Sequence, residues 1–267
     1  MLKIGLLGVG AIGRTIATAL DQKQVDAELV ALSDQDCARA KQLSSELSNH
    51  PPVLPVEEMI DRCELAVEAA SQAALPDFVP KALARGRDML IMSVGGLLGR
   101  EEWFCEAGAK GCRIYVPSGA IAGLDGIKSA SIGRIESAEL TSRKPVKALA
   151  GSKYVVDRRI QLDGMKEDTV IFDGSAEDAA RAFPATSNVA ASLRLAVDPS
   201  AAVRVRVVAV PGGSENVHEI RIQGEFGRLS MRVENVPSKT NPRTSQLAAF
   251  SAIATLKNLT RALRVGT

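Results

Sequence analysis

The sequence predicts an α/β fold, a doubly wound parallel sheet, followed by a second α+β domain with a mixed or antiparallel sheet. Short apolar runs alternate with segments of helical spacing as far as about Val116, and a cluster of glycines interrupts that alternation after its first run. Beyond residue 118 the runs instead follow one another with turn residues between them.

The strands of the first domain read as Lys3 to Leu7, Leu29 to Ser33, Leu65 to Glu68, Met89 to Ser93 and Arg113 to Val116. Helical segments begin near Ala11, Asp36, Ala73 and Arg100, with the length a crossover between parallel strands requires. Right-handed crossovers place them on both faces of the sheet. In the second domain Val170 to Phe172, Val203 to Val210, Val217 to Ile222 and Leu229 to Val233 read as strands. The last three are separated by "PGGSEN" and "GEFG", as successive hairpins are. The tail, "NPRTSQLAAFSAIATLKNLTRAL", opens on Asn241 and Pro242 and reads as one long helix returning to the first domain. The expected boundaries are therefore 1–118, completed by 241–267, and 119–240.

Thirty-three Lys and Arg residues against thirty-one Asp and Glu leave a net charge of +2, spread along the chain, and aromatic residues make up only 3%. That balance argues against nucleic acid as a partner, since phosphates need a concentrated basic surface and bases need aromatic platforms. Cys37, Cys63, Cys105 and Cys112 form no CxxC pair, and the two histidines, His50 and His218, are far apart. No metal site or disulfide framework is expected, and reduced thiols suit a cytoplasmic protein. The first apolar run is cut at Gly8, so the N-terminus reads as a strand rather than a signal peptide, and no run has membrane-spanning length.

Gly8, Gly10 and Gly13 stand in GxGxxG spacing between a strand and a helix. The first suits a tight turn, the second lets backbone approach a pyrophosphate, and the third lets helix pack closely on strand. The N–H groups of the helix start, at Ala11, Ile12 and Gly13, then face the phosphates. A glycine-rich turn without a ligand has the same spacing. Asp34, at the end of "ELVALSD" and roughly twenty residues beyond the glycines, tips the balance toward a Rossmann-type dinucleotide site, with its carboxylate accepting ribose hydroxyls. No arginine adjoins Asp34, which favours NAD, although Arg39 is close enough to admit the 2′-phosphate of NADP.

His218, in "PGGSENVHEI", is one of two imidazoles able to serve acid/base chemistry near neutral pH, or else a histidine on a strand face. His50 lies in a polar loop and reads as exposed. Four stretches look unusual for scaffold: "VEAASQAALP", "MSVGGLLG", "PSGAIAGLDGI" and "FPATSNVAASLRLAV". Each can be turn chemistry, with Asn188 a plain N-cap, but together they suggest a cleft.

The stretches "GVGAIG", "VEAASQAA", "MSVGGL", "VPSGAIAGLDGI", "TSRKP", "FPATSNVAA", "NVHEI" and "TSQLAAFSAIATLKNL" resemble, in order and over essentially the whole chain, the L-aspartate dehydrogenase family. The resemblance implies oxidation of L-aspartate to iminoaspartate with NAD or NADP, the product feeding pyridine nucleotide synthesis or hydrolysing to oxaloacetate and ammonia. It places the family's active-site histidine on His218 and its nicotinamide-side contacts on Ala122 and Asn188.

Oxidative deamination needs a neutral amine, a Cα hydrogen aimed at the nicotinamide, and counter-charges for the carboxylates. A histidine is suited to take the ammonium proton, which makes His218 the expected general acid/base. Arg143 and Lys144 of "TSRKP" are candidate carboxylate partners, the other reading being a solvated basic turn. Two other functions fit a two-domain nucleotide-binding plan: a dehydrogenase or reductase of another small acid or semialdehyde, and a non-catalytic NAD-binding sensor. The alternating strand "AVRVRVVAV" suggests pairing across a two-fold axis and hence a homodimer.

Overall fold

The computed structural model describes residues 1–184, 187–236 and 245–266 of the chain, and these form two compact units. The first comprises Met1–Pro117 and Ala248–Arg264, and the second is essentially Ser118–Leu247.

In chain order the first unit runs β1 (Leu2–Leu7), α1 (Ala11–Asp21), β2 (Ala27–Ser33), α2 (Cys37–Glu46), α3 (Val56–Arg62), β3 (Leu65–Glu68), α4 (Leu75–Ala84), β4 (Asp88–Ile91), α5 (Glu101–Lys110) and β5 (Ile114–Tyr115). The strands form one parallel sheet in the order β2-β1-β3-β4-β5. The chain moves from β1 to one side and then returns to the other, so the carboxyl ends of β1 and β3 flank a point where open α/β sheets place ligands. Ile4 and Leu6 of β1 are fully buried in a cluster with Ile16, Ala17 and Leu20 of α1. Burial of such side chains contributes roughly 1.5–3 kcal/mol each. Gly5, between them, faces the other way, where a Cβ would lie 3.0 Å from Met59 of α3. Both faces of the sheet are thus covered by helices.

Helix α3 is absent from the periodicity reading because only Met59 and Ile60 of its seven residues are buried, too few for a period to register.

The second unit begins with α6 (Leu124–Ala130), β6 (Ile135–Pro145), α7 (Val146–Leu149), α8 (Lys153–Asp157), β7 (Thr169–Ser175), α9 (Ala176–Ala182) and α10 (Asn188–Ala196). It continues with β8 (Val203–Val210), β9 (Asn216–Gly224) and β10 (Gly227–Asn235). Its sheet has the order β10-β9-β6-β8-β7 and is mixed: β6 and β8 are parallel, and the other pairs are antiparallel. Strands β9 and β10 form the expected hairpin, but β8 and β9 do not. Strand β6, which the sequence reading leaves out, is inserted between them. It escapes notice because its inward positions change from Ala138 and Leu140 to Ser142 and Lys144, so apolar alternation fades halfway along. Since β8 is interior, it has no free edge for pairing with a second copy; the edges are β7 and β10.

Helices α6, α9 and α10 bury one face of this sheet, with Ile127, Ala179 and Leu193 against Leu140, Val205 and Ile220. The opposite face carries paired charges, Arg204 and Arg206 on Asp173, and Arg143 and Arg232 on Glu219.

The last helix, α11 (Gln246–Thr260), contributes Ala252, Ile253 and Leu256 to the core of the first unit. Asn241 and Pro242, expected to open it, lie outside the described residues.

The turn after β1 explains its own glycines. Gly8 has φ +92, and a Cβ there would come within 2.6 Å of the Ala69 backbone; at Gly13 a Cβ would meet the Gly8 carbonyl oxygen at 1.9 Å. Gly10 has φ −68 and nothing within 4 Å of a Cβ, so the fold does not require a glycine there. Gly13→Ala is therefore expected to cost about 1–3 kcal/mol or more in denaturant unfolding, and Gly10→Ala less than about 1 kcal/mol.

Candidate active site

In the first unit the α1 start is built for an anion. Gly10 caps the helix without a side-chain hydrogen bond, no acidic residue stands in the first turn, and the space over Gly10 is open. The N–H groups of Ala11, Ile12 and Gly13 belong to the first turn, which has no intrahelical acceptors for them. These features fit a dinucleotide pyrophosphate, whose close approach a side chain at residue 10 would obstruct.

Asp34 follows β2 beside this turn. Its Oδ2 accepts the Val9 N–H at 2.8 Å, and its Oδ1 accepts the Asp36 N–H at 2.9 Å. Arg39 Nη2 donates to both oxygens, at 3.0 and 3.1 Å. Burial pushes the Asp34 carboxyl upward, but these N–H groups and the guanidinium prevail and hold it below the usual carboxylate range. The carboxylate is consequently charged at neutral pH and locked to the glycine turn through Val9.

A second carboxylate, which the sequence reading passes over, organises the neighbouring loops. Glu68 ends β3 and is fully buried. It accepts the Ala70 N–H at 2.7 Å, the Ser93 N–H at 3.0 Å and the Ser93 hydroxyl at 2.8 Å, joining "VEAAS" to "MSVGG". Its burial raises its pKa against the opposing pull of those donors.

In the second unit β6 and β9 run side by side with Ser142 opposite His218. The face they share is apolar at one end, with Leu140 and Ile220, and polar at the other, with Ser142, Lys144, Asn216 and His218, all buried. Ser142 Oγ and His218 Nδ1 lie 2.9 Å apart. Burial, and then the charge of Lys144, depress the His218 pKa to about 3, so the imidazole is neutral at pH 7. Burial likewise lowers Lys144 to about 8, and no carboxylate among the described residues opposes that effect. Asn216 Oδ1 is also buried without a partner among the described residues. Such groups are costly unless a ligand completes them.

Arg143 and Lys144 are not a solvated turn, and the pleat of β6 separates them. Lys144 joins the His218 face, whereas Arg143 points to the opposite face and pairs with Asp168 and Glu219. Lys144 alone of the two shares the histidine's surroundings.

Ala122 is exposed on the loop before α6, and two contacts with β10, the neighbour of β9, fix that loop. Asn235 Nδ2 donates to the Ala120 carbonyl at 3.0 Å, and Gly123, at φ +79, packs where a Cβ would meet the Met231 sulfur at 2.1 Å. Asn188 is the half-buried first residue of α10; Ser187, not Asn188, occupies the N-cap, and its Oγ donates to the Ala179 carbonyl at 2.9 Å. Ala185 and Thr186 of "FPATS" lie outside the described residues. His50 is exposed, as expected. Ser142, Glu68 and Asn235 had no signal in the sequence, because each acquires its partner only through strand register or loop packing.

Comparison with known proteins agrees with this architecture. The family described as "Aspartate dehydrogenase, C-terminal" matches residues 125–259, and "Homoserine dehydrogenase, NAD binding domain" matches residues 8–117. The L-aspartate dehydrogenase of Methanosarcina barkeri is 46% identical, with all of both chains covered. That of Bradyrhizobium diazoefficiens is 38% identical over all of this chain and 94% of its own. The crystal structure of aspartate dehydrogenase from Thermotoga maritima superposes with a TM-score of 0.77 at 26% identity, covering 100% of each chain. With a dinucleotide-type turn in one unit, a buried histidine and lysine in the other, and relatives of this kind along its full length, the chain belongs to the L-aspartate dehydrogenase family.

Proposed function

We propose that the protein oxidises L-aspartate to iminoaspartate with NAD as the preferred acceptor, and catalyses the reverse reductive amination of oxaloacetate with ammonia. The observation that carries this reading is the buried Ser142–His218–Lys144 face, which holds a neutral base beside a cation with no counter-charge among the described residues. Asp34, a carboxylate at the end of β2 held beside the glycine turn, supports NAD as the residue type that accepts ribose hydroxyls. The iminoaspartate would hydrolyse or feed pyridine nucleotide synthesis. We take the protein to be cytoplasmic and a homodimer, formed through the charged open face or the β7 and β10 edges of the second sheet.

In this mechanism Lys144 attracts a substrate carboxylate, with which it forms a charge-assisted hydrogen bond in a water-poor site. That carboxylate also offsets the positive charge depressing His218, so substrate binding raises the imidazole's affinity for a proton. With the proton on Nδ1, His218 donates a hydrogen bond to Ser142 Oγ, 2.9 Å away, which fixes the ring and leaves Nε2 to take a proton from the substrate α-ammonium. A bound nicotinamide would supply the hydride-acceptor chemistry for oxidation at the substrate Cα. By the family resemblance Ala122 and Asn188 would be the nicotinamide-side contacts, and the α1 N-terminus and Asp34 would hold a pyrophosphate and a ribose. In the reverse direction His218 returns the proton to nitrogen.

Initial rates with L-aspartate, malate, glutamate and homoserine should favour aspartate. His218→Ala is expected to lower kcat by about 10²–10⁴-fold while the NADH dissociation constant stays unchanged; retained turnover would remove His218 from the mechanism.

Lys144→Met should raise the aspartate KM about tenfold or more with a smaller effect on kcat. In the wild type that KM should climb as pH passes about 8 and Lys144 loses its proton. The variant's KM should lack this rise, and an unchanged pH profile would assign carboxylate binding elsewhere.

A further inference from the structure

The polar end of the β6–β9 face holds one group that neither the fold nor the mechanism above uses. Asn216 is the first residue of β9, two before His218 and on the same buried face. The register that sets Ser142 opposite His218 and Arg143 opposite Val217 brings Lys144 level with Asn216. On its other side Asn216 is paired with Asn235 of β10. That neighbour's amide is committed elsewhere, its Nδ2 donating to the Ala120 carbonyl at 3.0 Å and its Oδ1 accepting the Ser245 hydroxyl at 2.5 Å. Asn216 Oδ1 is thus left buried with no donor from Lys144, Asn235 or any other described residue.

Three groups on this face therefore await complements: the Lys144 cation, the His218 Nε2 lone pair and the Asn216 Oδ1 lone pairs. A dicarboxylate supplies an anion to the lysine and nothing to the other two, because ionised carboxylates only accept. In L-aspartate every side-chain and backbone donor hydrogen at neutral pH sits on the α-ammonium, which has three. Residues two apart on a strand lie about 7 Å from each other, so a nitrogen seated between the Asn216 and His218 side chains can bond to both. Once His218 has taken one proton the amine retains two hydrogens, and its bond to Asn216 survives the transfer. A hydroxyl at the same carbon carries a single hydrogen and leaves one of the two acceptors empty; a methylene leaves both. A site built to hydrogen-bond a substrate donor rejects the analogue lacking it for this reason.

Resting on the function proposed above, we propose that Asn216 is the amine-selecting residue: its Oδ1 accepts a hydrogen bond from the substrate α-ammonium and so favours an amino dicarboxylate over the hydroxy and unsubstituted ones.

The test measures kcat/KM for L-aspartate and competitive inhibition constants for L-malate and succinate, at saturating NAD, in the full-length wild type, Asn216→Leu and Asn216→Ser. Asn216→Leu, similar in volume and without an acceptor, should lower kcat/KM for aspartate about tenfold or more while both inhibition constants stay within about threefold. Asn216→Ser, smaller and still an acceptor, should lie between, and it carries the test should the leucine variant fail to fold. Weakening of aspartate and both inhibitors by the same factor would make Asn216 a support of β9 and overturn the proposal, as would an unchanged kcat/KM. In either case a wild type that oxidises aspartate keeps the proposed function and loses only this assignment, whereas a wild type without aspartate turnover defeats both.

Discussion

The structure of the first unit depends on how closely backbone can approach backbone where β1 and β3 end. Helix α1 starts only three residues beyond Gly8, and the loop after β3 presses on that turn at Ala69. The Gly8 carbonyl in turn occupies the place of any Cβ at Gly13. The same crowding aims the α1 N-terminus at the carboxyl edge of the sheet, and Val9 N–H binds Asp34 across it. A turn that the fold needs for packing thus presents unpaired donors at the place where the strand order diverges. Packing demands glycine at Gly8 and Gly13 but not at Gly10, where a Cβ would meet nothing within 4 Å among the described residues.

The second unit answers a different constraint. A sheet face sealed by helices would be most stable if it stayed apolar along its whole length, yet it ends in Ser142, Lys144, Asn216 and His218. The unpaired lysine costs the folded state free energy at neutral pH, since its pKa is lowered by burial. That penalty persists below pH about 8 and disappears as pH rises toward the ordinary lysine value. Stability spent in this way is expected at sites whose missing partner is a ligand. On the function proposed above, a dicarboxylate substrate would complement the protein, relieving the lysine and making the histidine more basic together.

Much of this was legible in the sequence for a local reason. Strands with apolar inward positions, such as β3 and β8, declare themselves by run length, and glycines after a strand declare a turn. Asp34 could be found because its distance from the glycines follows from one crossover. What could not be read depends on register between distant segments. That Ser142 faces His218, and that β6 parts β8 from β9, follows from a strand whose polar half resembles a basic turn. Arg143 and Lys144 show the limit most clearly: adjacent in sequence and alike in charge, they are sent to opposite faces by a period of two. Family resemblance singled out His218 as the expected acid/base, and its surroundings are supplied by the fold.

Glu68 brings the loops after β3 and β4 into one energetic unit. Both loops draw on the same buried carboxylate, Ala70 on one side and Ser93 on the other, so lifting either strands a charged or protonated acid with too few donors. Local opening of one loop is thereby penalised by the other, and amide hydrogens of Ala70 and Ser93 should leave protection as a pair, with the sheet, rather than as two independently fraying ends. A single inward-facing acid thus makes two loop segments, separate in sequence, rigid in concert.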